Sequence, residues 1–381
     1  MFVLDGHDAR SLRRIRGLRS IGLRVTPFAF MRSRGSAGAG APKDLIVLGT
    51  TYDGRYLQRV AALARSLAVV WRHRRHLATT QAFYAINFDN LALALFARWL
   101  GDVRRPIVVE VADIQPVMWT DGWQGILLRA IERVLLRRVD LLVTTSAGFV
   151  REYLGPRQRY GGEHFLWENK IFPEPAPSSA PDRIAPPVEH EPWVIGYVGA
   201  FRCRRSWDMV RGIARDLGGR VEVRISGFPM FMAEQDFVRE AEAAEHVHYD
   251  GRYGYPDGLA DAYAGLHLSW GFDFSDPDGN SRWLLPNRLY ESGAAAVPIL
   301  SLAGTETGHW VTARSAGWTL EEDVEQHVKD FVRALTPAAW RAVRDPLADV
   351  PAADFRGRQD YERFATRLRA MTGAGLEAAA S

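Results

Sequence analysis

Apolar and polar positions alternate along this chain in two rhythms. Short, nearly continuous apolar runs occur at Phe2 to Leu4, DLIVLG (44–49), FYAIN (83–87), IVVEV (107–111) and LLVTTS (141–146). Between them lie longer stretches in which apolar residues recur three or four positions apart, notably Tyr56 to Val70, Leu91 to Leu100 and Ile126 to Arg138. Runs of the first kind fit strands buried on both faces, and stretches of the second kind fit amphipathic helices. Phe2 to Leu4 ends in a turn at Asp5, Gly6, His7 and Asp8; a helix from Ala9 to Gly22 and a strand near Arg24 to Phe30 follow. Repeated strand–helix alternation predicts a mainly parallel, doubly wound α/β sheet with helices on both faces.

The rhythm breaks at Phe172 to Trp193, FPEPAPSSAPDRIAPPVEHEPW, where seven prolines forbid a regular element. It resumes with WVIGYVG (193–199), VEVRISG (221–227), HVHYDG (246–251) and Leu266 to Trp270. The expected division is therefore a first domain over 1–172, a linker over 173–193, a second domain over 194–345 and a helical tail over 346–381. The tail carries Phe355, Tyr361 and Phe364.

Composition narrows the class. The chain has 381 residues, 47% hydrophobic and 24% charged, which suits globular domains with substantial cores. No apolar run is long enough for a membrane span, and the arginines after the first strand do not resemble a secretion signal. The single cysteine, Cys203, excludes an intrachain disulfide and any cysteine-based metal cluster, in keeping with a cytoplasmic setting. Charge is uneven: residues 1–172 hold 26 Lys+Arg against 14 Asp+Glu, a net of +12, and the remainder nets −9. A cationic first half points to an anionic partner surface. Arg10, Arg13, Arg14, Arg16 and Arg19 share the helix Ala9 to Gly22 with Leu12, Ile15 and Leu18, which reads as a basic amphipathic helix able to lie on anionic lipid. Nucleic acid is disfavoured, because aromatic side chains are not interleaved with these cations and no binding module is recognisable.

Chemistry concentrates in Leu285 to Leu300, LPNRLYESGAAAVPIL, a polar turn followed by a small-residue helix and a buried strand. A helix start at a sheet edge offers free N–H groups and a positive dipole end to a phosphate, and a carboxylate such as Glu291 can accept two sugar hydroxyls. An ordinary surface glutamate on an αβ unit is the plain alternative. Ligands of open α/β sheets collect beyond the strand ends. That rule selects the loop AFRCRRS after Gly199, the turn at Gly227, Tyr249 to Tyr255, and Asp273 to Asn287. Arg202, Arg204 and Arg205 in the first loop form a clamp suited to a diphosphate.

The 285–300 segment resembles the run P-x-K/R-x-x-E-x-x-A-x-G-x-P-V-I of GT-B glycosyltransferases. Pro286, Arg288, Glu291, Ala294 and Pro298 fall in register, and Ala296 stands where glycine is frequent. The resemblance implies that Glu291 holds the donor ribose, with Asn287 and Arg288 beside the donor phosphates. It also implies that the family pattern V-G-R-x-x-x-x-K-G matches at Val198 and Gly199, with Ala200 replacing arginine and Arg205 replacing lysine. Arg205 with Arg202 then takes the diphosphate. Trp283 occupies the place of an acid that many retaining members carry eight residues before the glutamate.

The resemblance implies two Rossmann-like domains facing a cleft, a final helix crossing back to the first domain, and sugar transfer from a UDP- or GDP-linked donor. Transfer by inversion requires a base for the acceptor hydroxyl. Asp113, after the strand IVVEV, is the first choice, because the segment is similar to one in the inverting xanthan glucuronosyltransferase. His7, Asp8 and Glu110 are alternatives, and capping or turn roles compete for Asp113, Asp8 and His7. Further similarity to bacterial polysaccharide glycosyltransferases runs through Glu132, Arg133, Asp140 and Ser146. The expected activity is assembly of exopolysaccharide or another cell-surface glycan on a lipid-linked acceptor, peripheral to the inner face of the plasma membrane and without a cofactor. No clustered acidic or histidine pattern indicates a metal. A nucleotide-sugar epimerase and a catalytically silent GT-B-like partner protein are the alternatives.

Overall fold

A computed structural model describes residues 1–32, 41–51, 56–172, 185–187 and 191–373. The Ser33 to Pro42 loop and the proline-rich linker lie mostly outside the described residues. The chain divides into two compact units, residues 1–168 with 358–381, and residues 169–357. Residues 346–357 thus stay with the second unit, and the return to the first begins at Arg358.

The first unit is built on a seven-stranded parallel sheet: β1 (Phe2–Val3), β2 (Phe28–Arg32), β3 (Ile46–Thr51), β4 (Phe83–Ile86), β5 (Ile107–Val111), β6 (Leu141–Thr144) and β7 (His164–Leu166). Their order across the sheet is β3-β2-β1-β4-β5-β6-β7. The chain thus runs one way from β1 to β3 and the other way from β4 to β7, and right-handed crossovers then place the two sets of helices on opposite faces. Helix Ala9–Ser20 lies on one face. Helices Tyr56–Arg72, Asn87–Leu100 and Trp123–Leu136 pack in succession on the other. The central strands β4, β5 and β6 are buried throughout, which is why they read as unbroken apolar runs.

The terminal helix Arg358–Thr372 packs beside Ala9–Ser20. Its Phe364 stacks on Trp167 at 4.4 Å between ring centroids, and Tyr361 meets the same indole edge-on at 4.7 Å. Gly17 lets the two helices approach, since a Cβ there would stand 2.2 Å from the Tyr361 ring.

The second unit carries a six-stranded parallel sheet: β8 (Trp193–Phe201), β9 (Val221–Pro229), β10 (Val247–Gly251), β11 (Leu268–Trp270), β12 (Ile299–Leu302) and β13 (Gly317–Leu320). The order is β10-β9-β8-β11-β12-β13. One core joins Tyr197, Phe201, Trp207, Phe237 and Trp270 on one side of the sheet; another joins Val198, Tyr263, Leu289, Tyr290 and Phe355 on the other. Between β1 and β4, and between β8 and β11, the chain order reverses. Those two points are where an open α/β sheet receives ligands.

Candidate active site

In the second unit, the strand ends beyond β8, β9 and β11 come together. Gly199 pairs with Gly227 across β8 and β9. Gly227 has φ of 146°, and a Cβ on it would sit 1.9 Å from the Gly199 carbonyl oxygen, so glycine is required there. Helix Arg204–Leu217 starts just past β8, and helix Asn287–Ala294 starts after Pro286 near the end of β11; neither start is capped by a side chain.

The loop Gly271 to Ser275, leaving β11, gathers the charges. Arg288 is buried, with its guanidinium 4.3 Å over the Tyr197 ring and Nη1 donating to the Trp270 carbonyl at 3.3 Å. Arg205 lies 4.6 Å over the Phe274 ring. Asp273, in the same loop, accepts from the Ser275 backbone N–H and the Ser281 hydroxyl, both at 2.9 Å. Burial opposes ionisation of Asp273, yet the Arg202 and Arg288 guanidiniums outweigh it and hold the carboxyl below its ordinary range. Two guanidiniums beside one carboxylate, with a third over the adjoining Phe274 ring, give the loop a net positive charge and aromatic backing. Arg204 is turned away into surface ion pairs with Asp208 and Glu240. Glu291 is buried one turn beyond Arg288; burial first, and then the Glu291 carboxylate, push the Tyr263 phenol well above its usual value. Asn287 opens the same helix, half-buried.

In the first unit, the exits of β1, β4 and β5 lie side by side. Asp113 is half-buried two residues beyond β5, and the adjoining Ala112 N–H donates to Asn87 Oδ1 at 3.1 Å. His7 is half-buried beside Asp5, with Nδ1 3.9 Å from Oδ1. Asp8 caps helix Ala9–Ser20, accepting from the Ser11 N–H at 2.9 Å and the Ser11 hydroxyl at 2.8 Å. Glu110 is fully buried, held by two bonds from Arg14 Nε at 3.1 Å and by the Tyr84 hydroxyl. Asp8 thus caps a helix and Glu110 holds a buried arginine, and Asp113 and His7 lie at the neighbouring strand exits.

Helix Ala9–Ser20 differs from the solvent-facing basic helix expected. Leu12, Ile15 and Leu18 are buried on the sheet, and so are Arg13 and Arg14. Arg10 donates to the Ala112 carbonyl at 3.2 Å, Arg19 pairs with Asp44 at 2.6 Å, and of the five arginines Arg16 alone is fully exposed. The apolar stripe that the spacing marks is turned to the core rather than to a lipid surface, and several of the arginines that flank it are consumed inside the unit.

Asp273, Tyr197 and Tyr263 were not singled out in the sequence. For Asp273 the signal existed: it lies three residues beyond β11, among strand-end residues. Asp276 bonds the Asn280 backbone N–H at 2.9 Å and shapes the loop. Trp283, in the place of the retaining-type acid, closes the short helix Asn280–Trp283.

Comparison with known proteins bears on this geometry. The chain is 32% identical over 373 residues to the succinoglycan biosynthesis protein ExoL of Rhizobium meliloti, covering 97% of this chain and 92% of that protein. It belongs to the ExoL family. No protein-family profile matches the chain. Among solved structures, Anabaena HepE in complex with UDP and glucose superposes with a TM-score of 0.65 at 12% identity, covering 97% of this chain and 98% of that one. Sucrose-phosphate synthase from Thermosynechococcus elongatus gives 0.69 at 12% identity, and WaaG, a glycosyltransferase involved in lipopolysaccharide biosynthesis, gives 0.62 at 14%, each covering 98% of both chains. The ExoL-family chain thus has the GT-B fold.

Among the described residues, no group of three or more His, Cys, Asp or Glu side chains is arranged to hold a metal ion. No described helix is long and apolar enough to cross a membrane.

Proposed function

We propose that this ExoL-family protein transfers a sugar from a nucleoside-diphosphate donor to a hydroxyl of a lipid-linked glycan, working at the inner face of the plasma membrane. The observation that carries the donor assignment is the pair Arg202 and Arg288 beside Asp273, with Arg205 over the adjoining Phe274 ring and the buried Glu291 one helical turn from Arg288. Glu291 accepts the ribose hydroxyls; the arginines and the uncapped helix starts receive the diphosphate. Gly199 and Gly227 let backbone approach the donor closely.

Asp113 is the base. The acceptor oxygen attacks the anomeric carbon, its proton passes to Asp113, and the bond from the anomeric carbon to the donor phosphate breaks. The bonding pair leaves with the diphosphate, whose growing negative charge is met by Arg202, Arg205 and Arg288. The protein's own cations offset that charge, so the reaction is assigned no metal requirement.

Thermal-shift titration of the full chain with UDP- and GDP-sugars tests the donor assignment, because a ligand bound only by the folded state raises its melting temperature. One nucleotide class should raise it, and Glu291→Ala should lose most of that rise. No response to either class would overturn the assignment. Asp113→Asn should retain donor binding and lose transfer by about two orders of magnitude or more; retained turnover would move the base to His7.

A further inference from the structure

Helix Trp123–Leu136 is built inside out. Its inward positions are Gly125, Arg129, Glu132 and Leu136, at i, i+4, i+7 and i+11. The two charges are satisfied there: Arg129 Nη1 donates to the Met118 carbonyl at 2.9 Å, and Glu132 accepts from the Tyr153 hydroxyl and the Gln158 amide. The outward positions are Trp123, Ile126, Leu127, Ile131 and Val134, each 42 to 72% exposed. A helix of a soluble unit normally places these two sets the other way round.

The neighbouring helix Asn87–Leu100, which packs beside it, adds exposed apolar side chains. Arg98, in the last turn of Asn87–Leu100, pairs at 3.2 Å with Asp140, which immediately precedes β6. Trp99 and Val103, 68 and 64% exposed, project at that end. Large apolar side chains exposed together on one side of the sheet mark a contact with a partner or a membrane.

Charge decides between occupants. From Tyr56 to Asp140 the sequence has 12 arginines against seven acids. Glu110 and Glu132 are buried, Asp140 and Asp121 are paired with Arg98 and Arg157, and Asp102 pairs with Arg105. Arg137 and Arg138, just beyond the helix, are exposed, as are Arg104, Arg74 and Arg75 at the same end of the sheet. Exposed tryptophan and aliphatic side chains rimmed by arginines complement an anionic lipid leaflet, where apolar groups enter the acyl boundary and arginines meet phosphates.

We infer that the outer face of helix Trp123–Leu136, with Trp99 and Val103, is the surface by which the first unit docks on an anionic bilayer. It takes the place of the arginine helix Ala9–Ser20, whose apolar stripe is spent on the core. The inference rests on the lipid-linked acceptor reading and gives that reading a location.

Vesicle sedimentation of the full chain tests it. The protein should pellet with phosphatidylglycerol-containing vesicles more than with pure phosphatidylcholine, and high salt should weaken the binding. Leu127→Ser with Ile131→Ser, at exposed positions that the fold does not need, should lower the partition coefficient roughly tenfold or more, as should Arg137→Glu with Arg138→Glu. Arg16→Glu should leave it unchanged. Unaltered pelleting of the serine variant, equal pelleting with both vesicle types, or concentration-dependent self-association that the serine variant abolishes without any vesicle binding would each overturn the inference. Nucleotide-induced thermal shifts on the same preparations keep the two proposals apart. A serine variant that keeps its nucleotide response while losing vesicles supports the docking face, and a wild type that binds vesicles through this face without any nucleotide response sinks only the donor assignment.

Discussion

At the scale of single residues, the strongest departures from surface chemistry are two buried charges in the first unit. Arg14 lies 4.0 Å over the Trp167 ring and within 3.0 Å of Glu110 and of the Trp167 carbonyl. Burial works against its charge, and Glu110 outweighs that cost, holding the guanidinium above its ordinary value. Removing one partner strands the other in the interior, so Arg14→Ala should cost about 3–5 kcal/mol in urea unfolding, against about 0.5 kcal/mol or less for Arg16→Ala on the same helix. Glu132 is the opposite case. Burial raises its carboxyl from 4.5 to about 7, more than the bonds from Tyr153 and Gln158 lower it. The folded state then holds a proton that the unfolded state releases, so stability falls as pH rises from about 4.5 to about 7. Glu132→Gln should therefore raise the melting temperature at pH 8 and change it little at pH 4.5; an equal effect at both would refute the shift. Neither charge was legible as buried from sequence, because their partners lie 96 and 21 residues away.

At the scale of elements, the period of the apolar pattern was sufficient for most strands and helices. The strands it missed, β7 and β13, are short and only partly buried, so no apolar run marks them. For helix Trp123–Leu136 the period was visible, but the face was reversed, since Arg129 and Glu132 share the inward stripe. The proposed donor half-site was legible further in its placement: Gly199, Gly227, Arg288 and Glu291 all stand at strand exits or on the helix the motif marked. The β8–β9 crossing depends on bare glycine. Gly227→Ala would force its new methyl against the Gly199 carbonyl, 1.9 Å away, and should cost about 1–3 kcal/mol or more while abolishing the nucleotide-induced thermal shift. A fully retained shift would show that this crossing does not shape the donor site.

At the scale of the whole molecule, the first unit is completed by the end of the chain. Phe364, fully buried, packs on Trp167 and lies 5.8 Å edge-on to Tyr84. Phe364→Ala should destabilise the first unit by about 3–5 kcal/mol, and calorimetry should show its transition moving to lower temperature while nucleotide still stabilises the second. The resemblance implied a returning helix; its start at Arg358 is set by where aromatic side chains meet Trp167. The uneven charge, +12 over residues 1–172, becomes meaningful at this scale too. Part of it is neutralised or buried on the Ala9–Ser20 side, and exposed arginines rim the opposite, apolar face.

The sequence by itself determined two parallel α/β units, the strand exits at which chemistry collects, and the helix that carries Arg288 and Glu291. Those features follow from local periodicity and short motifs, which backbone geometry reads directly. Only the tertiary structure decided which arginines are buried, that Asp273 is the carboxylate set beside Arg202 and Arg288, and which helix turns its apolar side outward. Period records which residues share a face. What that face meets depends on side chains brought from distant parts of the chain, and burial and charge pairing are settled only there.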